Sequence, residues 1–170
     1  MQKYFSTKKL CFVALFTAMN IALSSFGVPV PGGHFYLCDI VICLAAMVFD
    51  PLSAFIVGGV GSFLGDMIFY PAPMFVSLIT HGLQAVAISL IVGKKENKPQ
   101  LWRCIVAVIV GAIIMNAGYF LGRAYVYSTL EYAIMKIPFE VLQAAVGAVV
   151  SISLLFFTRL KNFINEIPKK

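Results

Sequence analysis

Polar and ionisable side chains interrupt the apolar runs of this sequence, often in pairs spaced three residues apart. His81 and Gln84 form one such pair, and Glu140 and Gln143 form another. Residues at that spacing share one face of a helix. Their groups can hydrogen-bond a polar ligand or link one helix to the next. The full candidate set for ligand binding draws on two further runs and comprises Asp39, His81, Gln84, Asn116, Tyr119, Arg123, Glu140 and Gln143.

The elements that must position these side chains are apolar and poor in charge. Hydrophobic residues make up 61% of the 170-residue chain and charged residues 12%, whereas soluble domains are about half apolar and about a quarter charged. So much apolar surface needs lipid to cover it. The composition therefore predicts a single all-α integral membrane domain, with helices over about residues 10–26, 35–49, 51–69, 74–93, 101–123 and 138–157.

Length separates one of these segments from the other five. A full crossing of the hydrocarbon core needs about 20 helical residues. Five segments satisfy this requirement, but the segment at about 35–49 is marginal. We expect it to be a short helix with one end below the membrane surface, and the mixed stretch from 124 to 137 is left unassigned.

Lysine and arginine fall in alternate gaps between the segments. If the N-terminus is cytoplasmic and all six segments cross, eleven basic residues face the cytoplasm and only two, Arg123 and Lys136, face outward. This bias follows the positive-inside rule. It predicts a six-transmembrane-helix bundle with cytoplasmic N- and C-termini. The basic residues lie at segment ends, where they suit lipid headgroups rather than nucleic acid.

In that orientation the polar side chains of several helices lie at similar depth in the outer half of the bilayer. His81 lies eight residues below the outer start of its segment, which is about 12 Å at helical rise. A cavity that opens outward and holds a small polar solute would explain the coincidence. For any single residue, hydrogen bonding between helices remains an equal alternative.

Small residues mark two helices. Ala14, Ala18 and Ala22 stack on one face of the first helix, where they could serve packing within the chain or the docking of a partner helix. Gly58-Gly59-x-Gly61-Ser62 on the third segment favours tight helix packing over ligand contact. The four cysteines form no CxxC pair, so neither a metal nor a cofactor is expected.

Taken in order, these motifs resemble those of the substrate-binding S component of energy-coupling factor (ECF) vitamin transporters. The resemblance covers most of the chain. It rests on an alanine pattern in the first helix, a Pro-Gly-Gly loop leading to an aspartate, a glycine-rich run before a second aspartate, and a Gly-Tyr-Phe-Leu segment. In this sequence they are Ala14, Ala18 and Ala22, then Pro31 to Asp39, Leu44 to Asp66, and Gly118 to Leu121.

The resemblance implies a six-helix bundle in the cell membrane of a prokaryote that binds a vitamin near its outer face. It implies three partners, namely a transmembrane coupling subunit and two ATPase subunits. The coupling subunit would dock on the alanine face, and loops at about 28–36 and 70–73 would gate the pocket. The chain has no Walker motif, so it is expected not to be an enzyme, with ATP hydrolysis supplied by the partners.

The glycine-rich run from Leu44 to Asp66 resembles that of the family branch that includes proposed hydroxymethylpyrimidine and pyridoxine carriers. Amides of the candidate set could pair with a heteroaromatic ring, Glu140 could take a protonated ring nitrogen, and Tyr119 could stack on the ring. Arg123 could instead bind a carboxylate, as pantothenate would require. Riboflavin is a further alternative.

Two other functional classes fit the sequence less well. An intramembrane enzyme would need a catalytic set such as HExxH, but His34 and His81 are 47 residues apart and lie in no such pattern. A non-transporting scaffold subunit would use the alanine face alone and would bind no small molecule tightly.

Overall fold

The computed structural model describes residues 6–31, 33–93 and 99–157. They form six helices and one two-stranded hairpin. The helices are α1 Thr7–Ser24, α2 Cys38–Val48, α3 Pro51–Phe69, α4 Met74–Val92, α5 Leu101–Tyr127 and α6 Leu130–Phe157. The strands are β1 Val28–Val30 and β2 Gly33–Phe35. The predicted helical bundle is confirmed. The membrane orientation was predicted from thirteen basic residues, and eight of them lie outside the described residues.

Five helices in the described ranges, all but α2, are long and apolar enough to cross a membrane. α2 has 11 residues, which gives it a length of roughly 16 Å. Ten of those residues are buried, so α2 is a central helix packed between α1, α4 and α6. Burial on every side accounts for its sequence, which is apolar apart from Asp39.

The junction between α2 and α3 marks one end of the bundle, called here the Asp50 end. The Asp50 side chain accepts a hydrogen bond from the Ser53 amide at 3.3 Å and caps α3, whose first residue is Pro51. Asp50 also forms an ion pair with Lys9 on α1 at 2.6 Å. Burial raises the pKa of the Asp50 carboxyl, but the bonds from Lys9 and Ser53 outweigh it and hold that pKa below its ordinary value.

The opposite end, called here the hairpin end, carries β1 and β2. These strands pair antiparallel, with Val28 opposite Phe35 and Val30 opposite Gly33. The sequence predicted only a loop here, and the helix expected from about residue 35 begins instead at Cys38. Pro29 is compatible with the hairpin because a two-stranded ribbon leaves an unpaired edge.

The stretch 124–137, left unassigned from the sequence, is mostly helical. α5 continues to Tyr127 through a π-helical turn, and α6 begins at Leu130 rather than at about residue 138. Pro138 therefore lies inside α6, where neighbouring helices can compensate for the hydrogen bond it removes. The first turn closes through the Ala133 amide, which donates to the Thr129 carbonyl at 3.0 Å.

The Gly58-Gly59 motif serves close helix packing, as predicted. A Cβ atom at Gly58 would lie 2.8 Å from both Ala85 Cβ and the His81 carbonyl oxygen, and one at Gly59 would lie 2.9 Å from the Leu78 carbonyl oxygen. α3 therefore approaches α4 at backbone distance. This contact fixes the height of His81 relative to the polar end of α3.

Candidate functional site

A cavity of about 670 Å³, including the part open to solvent, lies at the hairpin end. All six helices contribute to its wall, as do β2 and the loop that follows α3. The α5 wall comes from Met115, Tyr119, Arg123 and Tyr127, which are spaced four apart and so share a helix face.

Five of the eight predicted binding residues line this cavity. Three helices bring them together: α4 supplies His81, α5 supplies Tyr119 and Arg123, and α6 supplies Glu140 and Gln143. His81 and Tyr119 meet ring edge to ring face, with centroids 5.3 Å apart. Side chains 62 residues apart along the chain therefore form one continuous wall.

Asp39 and Gln84 lie directly behind that wall, each about 1% exposed. Asp39 Oδ2 accepts a hydrogen bond from Gln143 Nε2 at 2.6 Å, and Asp39 Oδ1 accepts one from Gln84 Nε2 at 3.0 Å. Gln84 Oε1 lies 2.7 Å from His81 Nδ1. At the other end, Gln143 Oε1 accepts the backbone N–H of Tyr36 at 2.9 Å. The Tyr36 amide, Gln143, Asp39, Gln84 and His81 are called here the Asp39 relay.

Asn116 is the one predicted binding residue that lies in neither the cavity wall nor the relay. Its Nδ2 donates to the Ala112 carbonyl of its own helix at 2.8 Å. Adjacent helical residues differ by about 100° in direction, and the cavity face of α5 runs through Met115 and Tyr119. The candidate set included Asn116 together with Tyr119 and Arg123, but the residue that lies on the cavity face with those two is Met115.

Two buried contacts that involve charged side chains join residues of the cavity wall. Arg123 Nη1 donates to Glu140 Oε1 at 2.5 Å, and both side chains are buried. Lys136 Nζ donates to the carbonyl oxygen of His34 and so ties α6 to the hairpin. The Arg123 guanidinium, predicted as a carboxylate-binding group, pairs with Glu140 through Nη1.

Several cavity residues were missed from the sequence. Three aromatic cavity residues lie in stretches that the sequence assigned to loops: the His34 ring lies 6.0 Å from that of Tyr36 and 5.6 Å from that of Tyr70, centroid to centroid. Lys136 and Tyr127 lie in the stretch 124–137, which the sequence left unassigned.

Burial, reinforced by the Asp66 carboxylate, raises the pKa of the Tyr36 phenol above its ordinary value. Tyr36 is therefore a neutral hydroxyl.

Asp66 was noted in the sequence as a polar residue on α3 but was not assigned to the site. It lines the cavity and accepts a hydrogen bond from Ser77 on α4. The Ser77 hydroxyl in turn lies 2.6 Å from the Tyr119 hydroxyl. The signal available in the sequence was the position of Asp66 near the same end of α3 as the other polar residues.

Three buried polar atoms of cavity-lining residues have no hydrogen-bond partner in residues 6–31, 33–93 and 99–157. They are His34 Nδ1, the Tyr127 hydroxyl and Glu140 Oε2. A buried polar atom without a partner costs about 1–3 kcal/mol. Three such atoms around one cavity are therefore an arrangement that a polar ligand would stabilise.

Comparison with known proteins places this architecture in a family. A sequence profile described as "ECF-type riboflavin transporter, S component" matches residues 4–161. The chain belongs to this family. An uncharacterised protein from Pyrococcus woesei is 29% identical over 135 residues, which cover 78% of this chain and 88% of that one. A solved structure titled "Structure and mechanism of the S component of a bacterial ECF transporter" has the same fold, with a TM-score of 0.69 and 23% identity over 94% of this chain and 98% of the other.

An S component of this family is a multi-pass membrane protein. The alanine pattern of α1 lies on the outer surface of the helix bundle. Ala14, Ala18 and Ala22 are all exposed, whereas Val13, Phe16, Asn20 and Ser24 on the opposite side of α1 are buried. The alanines therefore do not pack α1 against the described part of the chain. They form a smooth outer surface that a second helix can approach closely.

Three buried side chains of this S component could together ligate a metal ion, but two of them already make hydrogen-bonding contacts within the protein. Cys38, Asp39 and His81 each place one potential ligand atom within 4.8 Å of the others. Both Asp39 oxygens accept amide hydrogen bonds, however, and His81 Nδ1 contacts Gln84. The geometry therefore favours a hydrogen-bonded relay at this position.

Proposed function

We propose that this S component binds a small water-soluble vitamin or precursor with a single heteroaromatic ring, of the hydroxymethylpyrimidine or pyridoxine type, for uptake. The observation that carries the proposal is the set of unpartnered atoms on His34, Tyr127 and Glu140 around the cavity, in the part of the chain that the structure describes. A ring with hydroxyl, amino or protonatable nitrogen groups would satisfy them. The ring would contact the aromatic faces of Tyr119 and Tyr36.

Riboflavin is the second candidate, and the description of the matching family favours it. The unpaired Glu140 oxygen favours a ligand with a basic ring nitrogen, which hydroxymethylpyrimidine and pyridoxine carry. Pantothenate has less support, because Glu140 already balances the positive charge of Arg123 that would attract its carboxylate.

Calorimetric titration of the purified protein separates these candidates. Hydroxymethylpyrimidine, pyridoxine, riboflavin and pantothenate would each be added to the same preparation in detergent. We expect one-to-one binding of a single-ring compound, with the other classes bound at least about tenfold more weakly, a difference of about 1.4 kcal/mol. Tight binding of riboflavin alone would replace the first candidate with the second, and no binding by any compound would favour a scaffold subunit.

We further propose that the hairpin end faces outward, that both termini are cytoplasmic, and that the exposed alanine face receives the coupling subunit that works with two ATPases. Ala18→Trp should abolish uptake in cells that express the complete transporter, because a bulky side chain prevents close helix approach. Ligand binding by the isolated protein should be unchanged. Leu83→Trp, at an exposed position of α4, is the matched control, and equal loss of uptake in both variants would contradict the docking role.

A further inference from the structure

The Asp39 relay begins at a group whose hydrogen-bonding role is fixed. A backbone N–H can only donate, so the Tyr36 amide requires the oxygen of the Gln143 side chain at its 2.9 Å contact. The Gln143 amide therefore cannot flip. Its Nε2 must face Asp39, to which it donates at 2.6 Å.

The second half of the relay is fixed in the same way. Both carboxyl oxygens of Asp39 act as acceptors, Oδ2 for Gln143 and Oδ1 for Gln84, so Gln84 turns its Nε2 toward Oδ1 at 3.0 Å. A flipped Gln84 would place two oxygens against each other. The same Nε2 lies 3.9 Å from Cys43 Sγ, a weak acceptor for its second hydrogen. Gln84 Oε1 is then left facing His81 Nδ1 at 2.7 Å.

An oxygen acceptor at that position demands a hydrogen on His81 Nδ1. In a neutral imidazole one ring nitrogen carries the hydrogen and the other only accepts, and the hydrogen bond made by one nitrogen sets the role of the other. We propose that the Asp39 relay holds His81 as its Nδ1–H tautomer, so that Nε2 accepts a hydrogen bond from a donor group of the ligand. This inference rests on the proposed function for its ligand, but the tautomer itself does not.

A second chain of contacts gives the neighbouring side chain the same polarity. Ser77 has one hydroxyl hydrogen, which it donates to Asp66 Oδ2. The Tyr119 hydroxyl, 2.6 Å away, must then donate its own hydrogen to Ser77. What Tyr119 offers the cavity is an oxygen lone pair.

Acceptors therefore converge from three helices: His81 on α4, Tyr119 on α5 and Glu140 Oε2, unpartnered in the described ranges, on α6. The ligand class that fits this wall carries N–H or O–H donors on its ring substituents, as an aminopyrimidine with a hydroxymethyl group does. Asp39, which lies outside the cavity wall, is a positioning residue for this selectivity.

Nitrogen NMR on the full-length protein without ligand tests the tautomer directly. The chain has two histidines, so ¹⁵N-histidine labelling of untagged protein gives two sets of ring signals, and His34→Gln assigns them. We expect a protonated, pyrrole-type Nδ1 and an unprotonated, pyridine-type Nε2 for His81. A protonated Nε2, in either the other neutral tautomer or the imidazolium, would overturn the proposal.

Asp39→Asn should reverse the relay. Gln143 stays pinned by the Tyr36 amide, so the introduced asparagine must point its oxygen at Gln143 and its amino group at Gln84. Gln84 then flips and donates to His81 Nδ1, which moves the hydrogen to Nε2. Asp50→Asn at the other end of the bundle is the matched control and should leave both sets of signals unchanged.

If Asp39→Asn does not fold, Gln84→Met serves instead. It removes the oxygen that holds the hydrogen on Nδ1, and the Nε2–H form should then appear. An unchanged tautomer in whichever of these two variants folds would contradict the relay.

Ligand selectivity provides the second arm. The aminopyrimidine with a hydroxymethyl group would be titrated beside two analogues, one with the amino group replaced by methyl and one lacking the hydroxyl. The wild type should bind at least one analogue about tenfold or more weakly than the parent, and Asp39→Asn should bind that analogue and the parent about equally. Equal binding of all three compounds by the wild type would overturn the donor requirement. Failure of the parent to bind would count against the proposed function, while the tautomer measurement stands on its own.

Discussion

Met47 and Phe49 fill the Asp50 end of the bundle, each about 2% exposed, and Phe16 packs edge-on against Phe49 with ring centroids 5.2 Å apart. At the hairpin end, positions just as deeply buried hold Asp39 and Glu140. The apolar end is complete without a ligand, since it leaves few polar groups to satisfy. The polar end retains atoms without partners in the described residues. The contrast predicts that stability is determined mainly at one end and binding at the other.

The largest expected departure from this division is at the Arg123–Glu140 ion pair, which lies at the polar end but is deeply buried. Arg123→Met should leave Glu140 as an uncompensated buried charge and cost about 3–5 kcal/mol of stability. Combining it with Glu140→Met should recover most of that stability without restoring ligand binding. Thermal unfolding in detergent and calorimetric titration measure the two effects, and a double variant as unstable as the single one would contradict the pair's role.

Ile88→Ala tests the apolar end. Ile88 on α4 is fully buried, so the truncation should cost about 2–5 kcal/mol of stability by leaving a cavity. The ligand dissociation constant measured below the melting temperature should stay within about twofold of wild type, because Ile88 does not line the cavity. Leu83→Ala on an exposed part of the same helix is the control and should have little effect on either quantity.

Tyr127→Phe sharpens the contrast from the polar end. The Tyr127 hydroxyl is buried without a partner in the described part of the chain, so its removal should not lower the melting temperature. Ligand affinity should nevertheless fall about 2- to 10-fold, because the proposed ligand supplies the partner of this hydroxyl. Tyr132→Phe, at an exposed position of α6, should change neither property. A destabilised Tyr127→Phe with normal affinity would show that the hydroxyl has a structural partner.

The smallest effect is expected at the partly exposed Asp50. Because its pKa is lowered in the folded protein, its contribution is fully present above the ordinary carboxyl pKa of about 3.9 and is lost as the pH falls through the lower folded value. Asp50→Asn should therefore lower the melting temperature slightly at neutral pH, and the difference from wild type should vanish in strong acid. An equal difference at both pH values would contradict the role of the Asp50 charge.

Much of the helical framework was predictable, because local signals marked its ends. Asp50-Pro51 fixes the start of α3, and α3 and α4 follow the predicted bounds to within one residue. The predicted start of α6 at about residue 138 was wrong, because proline favours the first turn of a helix but here lies inside one. The hairpin could not be predicted from three-residue strands, whose pairing depends on the surrounding bundle.

The site was predicted in part for a related reason. Spacing placed His81 beside Gln84 and Glu140 beside Gln143, and both pairs are part of the observed wall and relay. Spacing alone could not show which member of each pair faces the cavity, because that depends on helix rotation. Asn116, one position from the cavity-lining Met115, illustrates this limit.

Native mass spectrometry of the wild-type protein tests most directly whether the hairpin-end cavity is a ligand site. With hydroxymethylpyrimidine or pyridoxine added in slight excess, we expect one bound molecule per chain. The Arg123→Met, Glu140→Met double variant should show none, while Leu83→Ala should bind like the wild type. Equal binding by all three proteins, or no adduct on the wild type with any of the four candidate vitamins, would contradict the assignment of this cavity.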